Sequence, residues 1–185
     1  LRRVLNGDDM GLGKTLQSIG TIVGLHEKGQ NAFPCLCIVP AVAKENWRRE
    51  WDKWSNHRAM ILTDSCKNTW MQYYKAGIKD VFITNYESLK KYFVESMPAK
   101  GKVRMSKDIV MRECINLFNS VIIDESHRIK SPATLQTKLC ARIAHKKENI
   151  ILLSGTPVMN KPIDLYTQLV IMGQIQHFGG TRKAF

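Results

Sequence analysis

The sequence predicts an α/β fold in which a mostly parallel sheet carries helices on both faces. Short apolar runs rich in β-branched residues alternate along the chain with longer segments of helical periodicity, which is the pattern of β-α-β units. Parallel strands need helical crossovers, and these cover both faces of the sheet. With 185 residues, of which 44% are hydrophobic, the chain is long enough for one domain with a substantial core.

Five strands and six helices are predicted. The strands span residues 35–39, 59–62, 81–84, 121–123 and 150–153. The helices span residues 15–27, 44–54, 86–93, 108–118, 134–144 and 162–172. On the second helix, Trp47, Trp51 and Trp54 recur at i, i+4 and i+7, which favours packing in the core. Sheets of this kind bind ligands at the carboxyl ends of their strands, so residues that follow a strand are the candidates for function.

The composition is that of a basic globular protein. Lysine and arginine number 28 and aspartate and glutamate 16, which gives a formal net charge of +12. This charge favours a polyanionic partner. No apolar run approaches the roughly 18 residues of a membrane-spanning helix, and no signal peptide opens the sequence, so we expect no membrane partner.

The number and spacing of the cysteines indicate the redox compartment of the protein. Five cysteines, an odd number without a C-x-x-C pair, argue against a disulfide framework and against a zinc site. We therefore expect a reducing compartment, cytoplasmic or nuclear. The chain begins with Leu1 rather than methionine, and we expect it to be part of something longer.

A glycine-rich segment, DDMGLGKT at residues 8–15, leads from Val4-Leu5 into the first predicted helix. Glycines allow successive N–H groups to converge on a phosphate chain, and the helix N-terminus adds its dipole. Lys14 would then reach the β- and γ-phosphates, and Thr15 would offer its hydroxyl to Mg²⁺. Asp8 stands where the strict pattern has its first glycine, so a plain turn before a helix is the alternative for this segment alone.

Two adjacent acids, Asp124 and Glu125, end the buried run 121–123. A magnesium nucleotide needs one carboxylate to hold the metal and another to orient or deprotonate the attacking water. We assign Asp124 to Mg²⁺ and Glu125 to the water. Solvated acids at a strand end, ahead of a helix N-terminus, are the alternative.

Ser154, Gly155 and Thr156 follow the strand 150–153, so a further strand delivers two hydroxyls to the same edge of the sheet. Taken alone, such a segment is more often only a turn. Three separately ambiguous signals nevertheless occur in order, with strand and helix patterns between them. This conjunction makes coincidence improbable.

Five segments together resemble motifs I, Ia, Ib, II and III of the SWI/SNF-like ATPases of helicase superfamily two. In order they read GDDMGLGKTLQSI, CIVPAVAKENWRREWDKW, VFITNYESL, VIIDESHRIKS and ILLSGTPVMNKPIDLYTQL. The DESH box and the later P-x-D-L-Y-T-Q are most similar to the annealing-helicase branch, near the SMARCA-like fork-remodelling enzymes. The resemblance covers nearly the whole chain. It implies a RecA-like P-loop first motor lobe, residues 1–185, that uses ATP and Mg²⁺ to translocate on double-stranded DNA.

The resemblance also implies roles for individual positions around the nucleotide. The positions that look like phosphate and metal-site residues are Gly11, Gly13, Lys14 and Thr15. Asp124 and Glu125 resemble the Walker B pair. The positions that resemble those coupling the nucleotide state to DNA are His127, Ser154 and Thr156.

A second group of positions is similar to segments that follow the backbone of one DNA strand. These positions are Pro40, Lys44 and Asn46 in motif Ia and Thr84, Asn85 and Tyr86 in motif Ib. Backbone contacts suit a motor that moves irrespective of sequence, because phosphates carry no base identity. Arg128 and Lys130 come directly after the DESH box at residues 124–127, and their positive charge makes them further DNA-contact candidates.

We expect two parts of the family pattern to lie outside residues 1–185: the upstream adenine-recognising segment and the second lobe with its arginine finger. We therefore expect the second RecA-like lobe of the same full-length protein to be a partner. Such an arginine is worth about 10³ to 10⁵ in rate in related phosphoryl-transfer enzymes. On its own, the chain is accordingly expected to hydrolyse ATP poorly.

Other functions remain open from the sequence. A superfamily two motor of a restriction or RNA-remodelling system would share motifs I to III, although the W-x-x-E-W-x-x-W continuation of motif Ia counts against it. A non-hydrolysing, ATP-switched DNA-binding module would not depend on Glu125. A small-molecule P-loop kinase would leave the net charge and the S-G-T-P segment unexplained.

Overall fold

The chain folds into alternating strands and helices. The computed structural model of the chain describes residues 2–99, 103–157 and 162–181. In these ranges the strands are β1 (Arg3–Asn6), β2 (Cys35–Val39), β3 (Ala59–Ile61), β4 (Val81–Asn85), β5 (Val94–Ser96), β6 (Val110–Met111), β7 (Ser120–Ile123) and β8 (Asn149–Leu153). The α-helices are α1 (Lys14–Glu27), α2 (Lys44–Trp54), α3 (Trp70–Lys75), α4 (Leu89–Phe93), α5 (Leu135–Ala144) and α6 (Tyr166–Met172). None of these helices has the length and apolar character needed to cross a membrane.

Six of the strands form one parallel sheet in the order β1-β8-β7-β2-β4-β3. The register places Asn6 opposite Leu153, and Leu152 opposite Ile123. The segments that follow β1, β8 and β7 therefore leave the sheet side by side. The other two strands, β5 and β6, pair antiparallel in a separate ribbon.

The core lies in two layers, one on each face of the sheet. Alternate residues of a strand point to opposite layers: in β2, Cys35 and Cys37 face α1 and α2, whereas Leu36 and Ile38 face the other layer. That second layer is built from α3, α4, α5 and α6. The predicted α/β architecture, a mostly parallel sheet with helices on both faces, is confirmed.

Most predicted elements form within a residue or two of their predicted bounds, and 35–39 and 44–54 coincide with β2 and α2. The segments 86–93 and 162–172 begin as 3-10 turns, Tyr86–Ser88 and Pro162–Leu165, before α4 and α6. The edge strand β1, the short helix α3 and the ribbon strand β5 were not among the predicted elements.

The predicted helix over 108–118 is wrong. That segment contains the strand β6 and a 3-10 turn, Glu113–Leu117. Tertiary hydrogen bonds replace the intrahelical ones: the backbone N–H of Arg112 donates to Phe93 at 2.8 Å, and its side-chain Nε donates to Val94 at 3.1 Å. These bonds hold the segment against the ribbon. In a continuous helix the Arg112 N–H would bond to a carbonyl of its own helix and could not make the bond to Phe93.

The central strand β7 should contribute strongly to stability. Its residue Ile122 is completely buried and packs against the layer of α1 and α2. Ile122→Ala is expected to lower the free energy of unfolding by about 2 to 5 kcal/mol because it removes buried methyl groups and leaves a cavity. The same substitution at Ile78, which is 45% exposed, should change it by less than about 0.5 kcal/mol. Urea denaturation measures both, and equal losses would contradict the assigned core.

Candidate nucleotide-binding site

The glycine-rich loop lies between β1 and α1. Gly11 and Gly13 have φ angles of +84° and +74°, a region that residues with a Cβ rarely adopt. Gly13 caps α1 through its backbone conformation, without a side-chain hydrogen bond to the helix. The helix thus starts at Lys14 with its N-terminal dipole directed into the loop, which is the arrangement that attracts an anion.

Lys14 bends back over the loop that precedes it. Its ammonium Nζ donates to the backbone carbonyls of Asp8 and Asp9, both at 2.8 Å. A phosphate chain entering the loop would offer the ammonium charged oxygen acceptors in place of these neutral carbonyls, and charge-assisted hydrogen bonds are the stronger ones. Thr15, the next residue of α1, is half-buried beside it.

Gln17, on the first turn of α1, forms hydrogen bonds to the loop with its exposed side chain. Its Nε2 donates to Leu12 O at 3.0 Å and to Asp8 Oδ2 at 3.2 Å, and its Oε1 accepts a hydrogen bond from Asn6. One side chain thereby joins the end of β1 to both halves of the loop. Asp8, which stands in the first glycine position of the strict pattern, takes part in this network.

Asp124 leaves the sheet directly after β7, and its N–H extends the ladder by donating to Ile38 O at 2.9 Å. The side chain is half-buried. Its Oδ1 accepts the N–H of Glu125, and its Oδ2 accepts the indole N–H of Trp47, both at 2.9 Å. The carboxylate is therefore held by hydrogen bonds in a fixed orientation at the edge of the sheet.

Glu125 adopts the left-handed conformation, with φ +51° and ψ +49°. For a residue with a Cβ this is strained, and such strain concentrates at functional sites. The turn brings its Oε2 to 3.2 Å from His127 Nδ1, and the same nitrogen lies 3.2 Å from Ser154 Oγ. The side chains of the strand ends β7 and β8 are thus joined by one imidazole.

The turn after β8 packs directly on the glycine-rich loop. Ser154 is fully buried, and its N–H donates to Asn6 O at 3.1 Å. A Cβ added to Gly155 would lie 3.0 Å from Met10 Cγ and 3.7 Å from Lys14 Nζ, so the two loops approach each other closely here. Thr156, by contrast, is exposed, and its N–H donates to Ser154 Oγ. The three predicted segments therefore meet at one edge of the sheet.

The segments after β2 and β4 also meet at that edge, since these strands are neighbours. Lys44 Nζ donates to Asn85 Oδ1 at 3.5 Å, and Asn85 Nδ2 donates to Glu87 at 2.7 Å, which lowers the pKa of Glu87. The side chains of Thr84 and Tyr86 are buried. Whole-residue exposure is 0% for Thr84 and 1% for Tyr86, so neither residue presents surface to DNA in this structure, and the predicted DNA contacts at these two positions are wrong.

The remaining DNA-contact candidates lie around this surface. Pro40 is half-buried before the 3-10 turn Ala41–Ala43, and Asn46 is exposed on α2. Arg128 is exposed, with its guanidinium 5.1 Å from the ring centre of Tyr86 and 3.4 Å from Glu87. Lys130 is half-buried directly after the 3-10 turn Ser126–Ile129, which contains Arg128.

Three contacting side chains at the site were not predicted: the amide of Gln17, the indole of Trp47 and the hydroxyl of Tyr86. Trp47 and Trp51 are buried as predicted, whereas Trp54 is 47% exposed. Tyr86 Oη donates to the backbone carbonyl of Asp124. Aromatic periodicity identified the buried face of α2, but it carries no information on which indole N–H reaches a carboxylate.

The sequence is similar to those of known proteins. Residues 4–184 match the model of the family described as the SNF2-related domain. Nuclear protein STH1/NPS1 of Saccharomyces cerevisiae is 34% identical over 173 residues, which cover 89% of this chain and 11% of the yeast protein. The SWI/SNF-related matrix-associated actin-dependent regulator of chromatin subfamily A-like protein 1 of Xenopus tropicalis is 29% identical over 167 residues, 90% of this chain and 15% of that protein.

A solved structure is similar over almost the whole chain. It is the SWI2/SNF2 ATPase core of Sulfolobus solfataricus in complex with double-stranded DNA, with a TM-score of 0.72 and 26% identity over 99% of this chain and 33% of that chain. The chain thus spans a small part of the relatives that it matches. The residues 158–161, which belong to the segment that resembles motif III, lie outside the described part of the structure.

The network around Gln17 predicts that this residue holds the loop ready for phosphate. Gln17→Ala should weaken ADP binding by about tenfold, because the loop loses three hydrogen bonds, each worth about 1 kcal/mol at most in an exposed setting. Gln72→Ala, at an exposed glutamine of α3, is the matched control and should leave the affinity unchanged. Isothermal titration calorimetry measures both. Equal affinities for the two variants would rule out this role.

Proposed function

The chain belongs to the SNF2-related domain family, and we propose that it is the nucleotide-binding first lobe of an ATP-dependent double-stranded DNA translocase. The observation that carries the proposal is the meeting of three strand ends. Gly155 lies against Lys14, and the neighbouring Ser154 is joined through His127 to Glu125. A phosphate-binding loop, a metal-binding carboxylate and a catalytic base are the parts that phosphoryl transfer to water requires.

The residues present fit a magnesium nucleotide. Gly11, Gly13 and Lys14 would hold the phosphates of ATP. Thr15 and Asp124 offer a hydroxyl and a carboxylate oxygen, the hard donors that Mg²⁺ prefers. When bound, Mg²⁺ would neutralise charge that develops on the phosphate oxygens.

Glu125 is the base in this proposal. Its Oε2 lies against His127, and we assign its Oε1 to the attacking water, from which it would accept a proton. A change at Glu125 would then be transmitted through His127 to Ser154. Thr156, whose N–H donates to Ser154, would carry it to the exposed side of the turn. In this way the nucleotide state would reach a surface that faces DNA or a neighbouring lobe.

DNA would bind along the edge formed by the segments after β2, β4 and β7. The net charge of +12 supports a polyanionic partner, and the similar archaeal ATPase core is in complex with double-stranded DNA. The residues that we place at this interface are Pro40, Lys44, Asn46, Asn85, Arg128 and Lys130.

The lobe would act together with a second RecA-like lobe of the same protein, as the 33% coverage of the archaeal ATPase core supports. We place the protein in the cytoplasm or nucleus, where its five free cysteines would stay reduced. The family match favours the translocase over a restriction or RNA-remodelling motor, a non-hydrolysing switch and a small-molecule kinase.

Glu125→Gln tests the catalytic assignment. In the intact protein it should lower DNA-stimulated phosphate release by about 10² to 10⁴, because the amide cannot accept the proton of the water. Nucleotide affinity should stay within about twofold. Glu113→Gln, at an exposed glutamate remote from the site, is the control and should retain full activity. Phosphate release that survived Glu125→Gln would favour the non-hydrolysing module.

Lys44→Ala tests the DNA interface. Removing one phosphate contact should weaken binding of duplexes of any sequence and lower the slope of log affinity against log salt by about 1. Lys75→Ala is the matched control. Lys75 is exposed at the end of α3, shortly before β4 begins, whereas the proposed interface lies where β4 ends. Fluorescence anisotropy over a salt series measures both slopes. If the two variants changed the slope equally, the interface would lie elsewhere.

A further inference from the structure

Trp47 is a core residue with a polar contact at the candidate metal site. Its side chain is 1% exposed and packs in the layer of α1 and α2. A buried indole N–H normally finds an acceptor. For Trp47 that acceptor is Oδ2 of Asp124, at 2.9 Å. A helix that follows β2 therefore contacts the carboxylate that follows β7.

The two carboxylate oxygens of Asp124 each accept one hydrogen bond, an arrangement that suits a metal ligand. Oδ1 accepts from the Glu125 N–H and Oδ2 from Trp47, so each oxygen retains capacity for one further interaction. In the described part of the chain, no lysine or arginine pairs with Asp124. Neutral N–H donors fix the orientation of the carboxylate without cancelling the negative charge that attracts a cation.

A second aromatic side chain holds the backbone of the same residue. Tyr86, in the segment after β4, donates its hydroxyl proton to the carbonyl of Asp124. Asp124 is thus supported at its carboxylate by the segment after β2 and at its carbonyl by the segment after β4.

Trp51 provides an internal comparison on the same helix. It lies one turn after Trp47 and is also fully buried, but its Nε1 has no hydrogen-bond partner among the described residues. The two tryptophans share residue type, helix and burial, and they differ in the contact with Asp124. Packing alone accounts for Trp51, whereas it leaves the directed bond of Trp47 unexplained.

We propose that Trp47 is a positioning residue, whose indole N–H holds the carboxylate of Asp124 in the orientation that binds Mg²⁺. The proposal rests on the proposed function, because it takes Asp124 to be the metal ligand. It also gives α2 a second role. The helix that carries the DNA-contact candidates Lys44 and Asn46 would fix the metal site through Trp47.

The test compares Trp47→Phe with Trp51→Phe in the intact protein. The readout is binding of the fluorescent, non-hydrolysable nucleotide mant-AMPPNP as a function of Mg²⁺ concentration, which requires no turnover. Trp47→Phe should raise the half-saturating Mg²⁺ concentration by about 10- to 100-fold, the usual cost of losing a group that orients a metal ligand. Trp51→Phe should leave it within about twofold. Nucleotide binding in EDTA, which involves no metal, should be equal in the two variants.

Asp124→Asn separates failure of the inference from failure of the proposed function. If Asp124→Asn raises the Mg²⁺ requirement and Trp47→Phe behaves like Trp51→Phe, Trp47 is a packing residue and the inference is overturned. If Asp124→Asn leaves the requirement unchanged, the metal assignment itself is wrong. If Trp47→Phe loses nucleotide binding in EDTA, its effect is one of packing, and a second variant is needed. That variant carries 3-benzothienylalanine at position 47, which keeps the bicyclic shape of tryptophan and lacks the N–H. An unchanged Mg²⁺ requirement with that residue would equally overturn the inference.

Discussion

The parallel pairing of β1, β8 and β7 is the constraint on which the site depends. Each strand ends in a segment that carries a different chemical group: the ammonium of Lys14, the hydroxyl of Ser154 and the carboxylates of Asp124 and Glu125. The register fixes where these segments emerge, with Asn6 beside Leu153 and Leu152 beside Ile123. Groups that are far apart along the chain are thereby brought to one edge, before any side chain contributes to their arrangement.

Side-chain contacts then refine what the sheet positions roughly. Gln17 joins both halves of the glycine-rich loop to the end of β1. Trp47 and Tyr86 hold Asp124 from two neighbouring segments. Glu125 takes a strained backbone conformation that brings its carboxylate to His127. Asp124 is consequently hydrogen-bonded to the two segments, after β2 and after β4, that carry DNA-contact candidates.

The parts of this account that could be predicted from the sequence are those set by local pattern. Buried strands are marked by apolar runs, and the groups at Lys14, Asp124 and Ser154 follow such runs or begin the helix after one. Contacts between distant segments leave no such mark. The helix predicted over 108–118 failed because Arg112 bonds to Phe93 and Val94. Likewise, Trp47 and Trp51 are equivalent in the helical pattern, and only the position of Asp124, on a distant segment of the chain, distinguishes them.

The central claim is that one magnesium nucleotide is held jointly by Lys14 and Asp124, with Glu125 placed beside it as the base. A crystal structure with AMPPNP and Mg²⁺ tests this claim most directly. The account predicts that Lys14 Nζ exchanges its bonds to the carbonyls of Asp8 and Asp9 for phosphate oxygens, with the metal bound at Asp124. A nucleotide bound elsewhere, with Lys14 still bonded to its own loop, would contradict it.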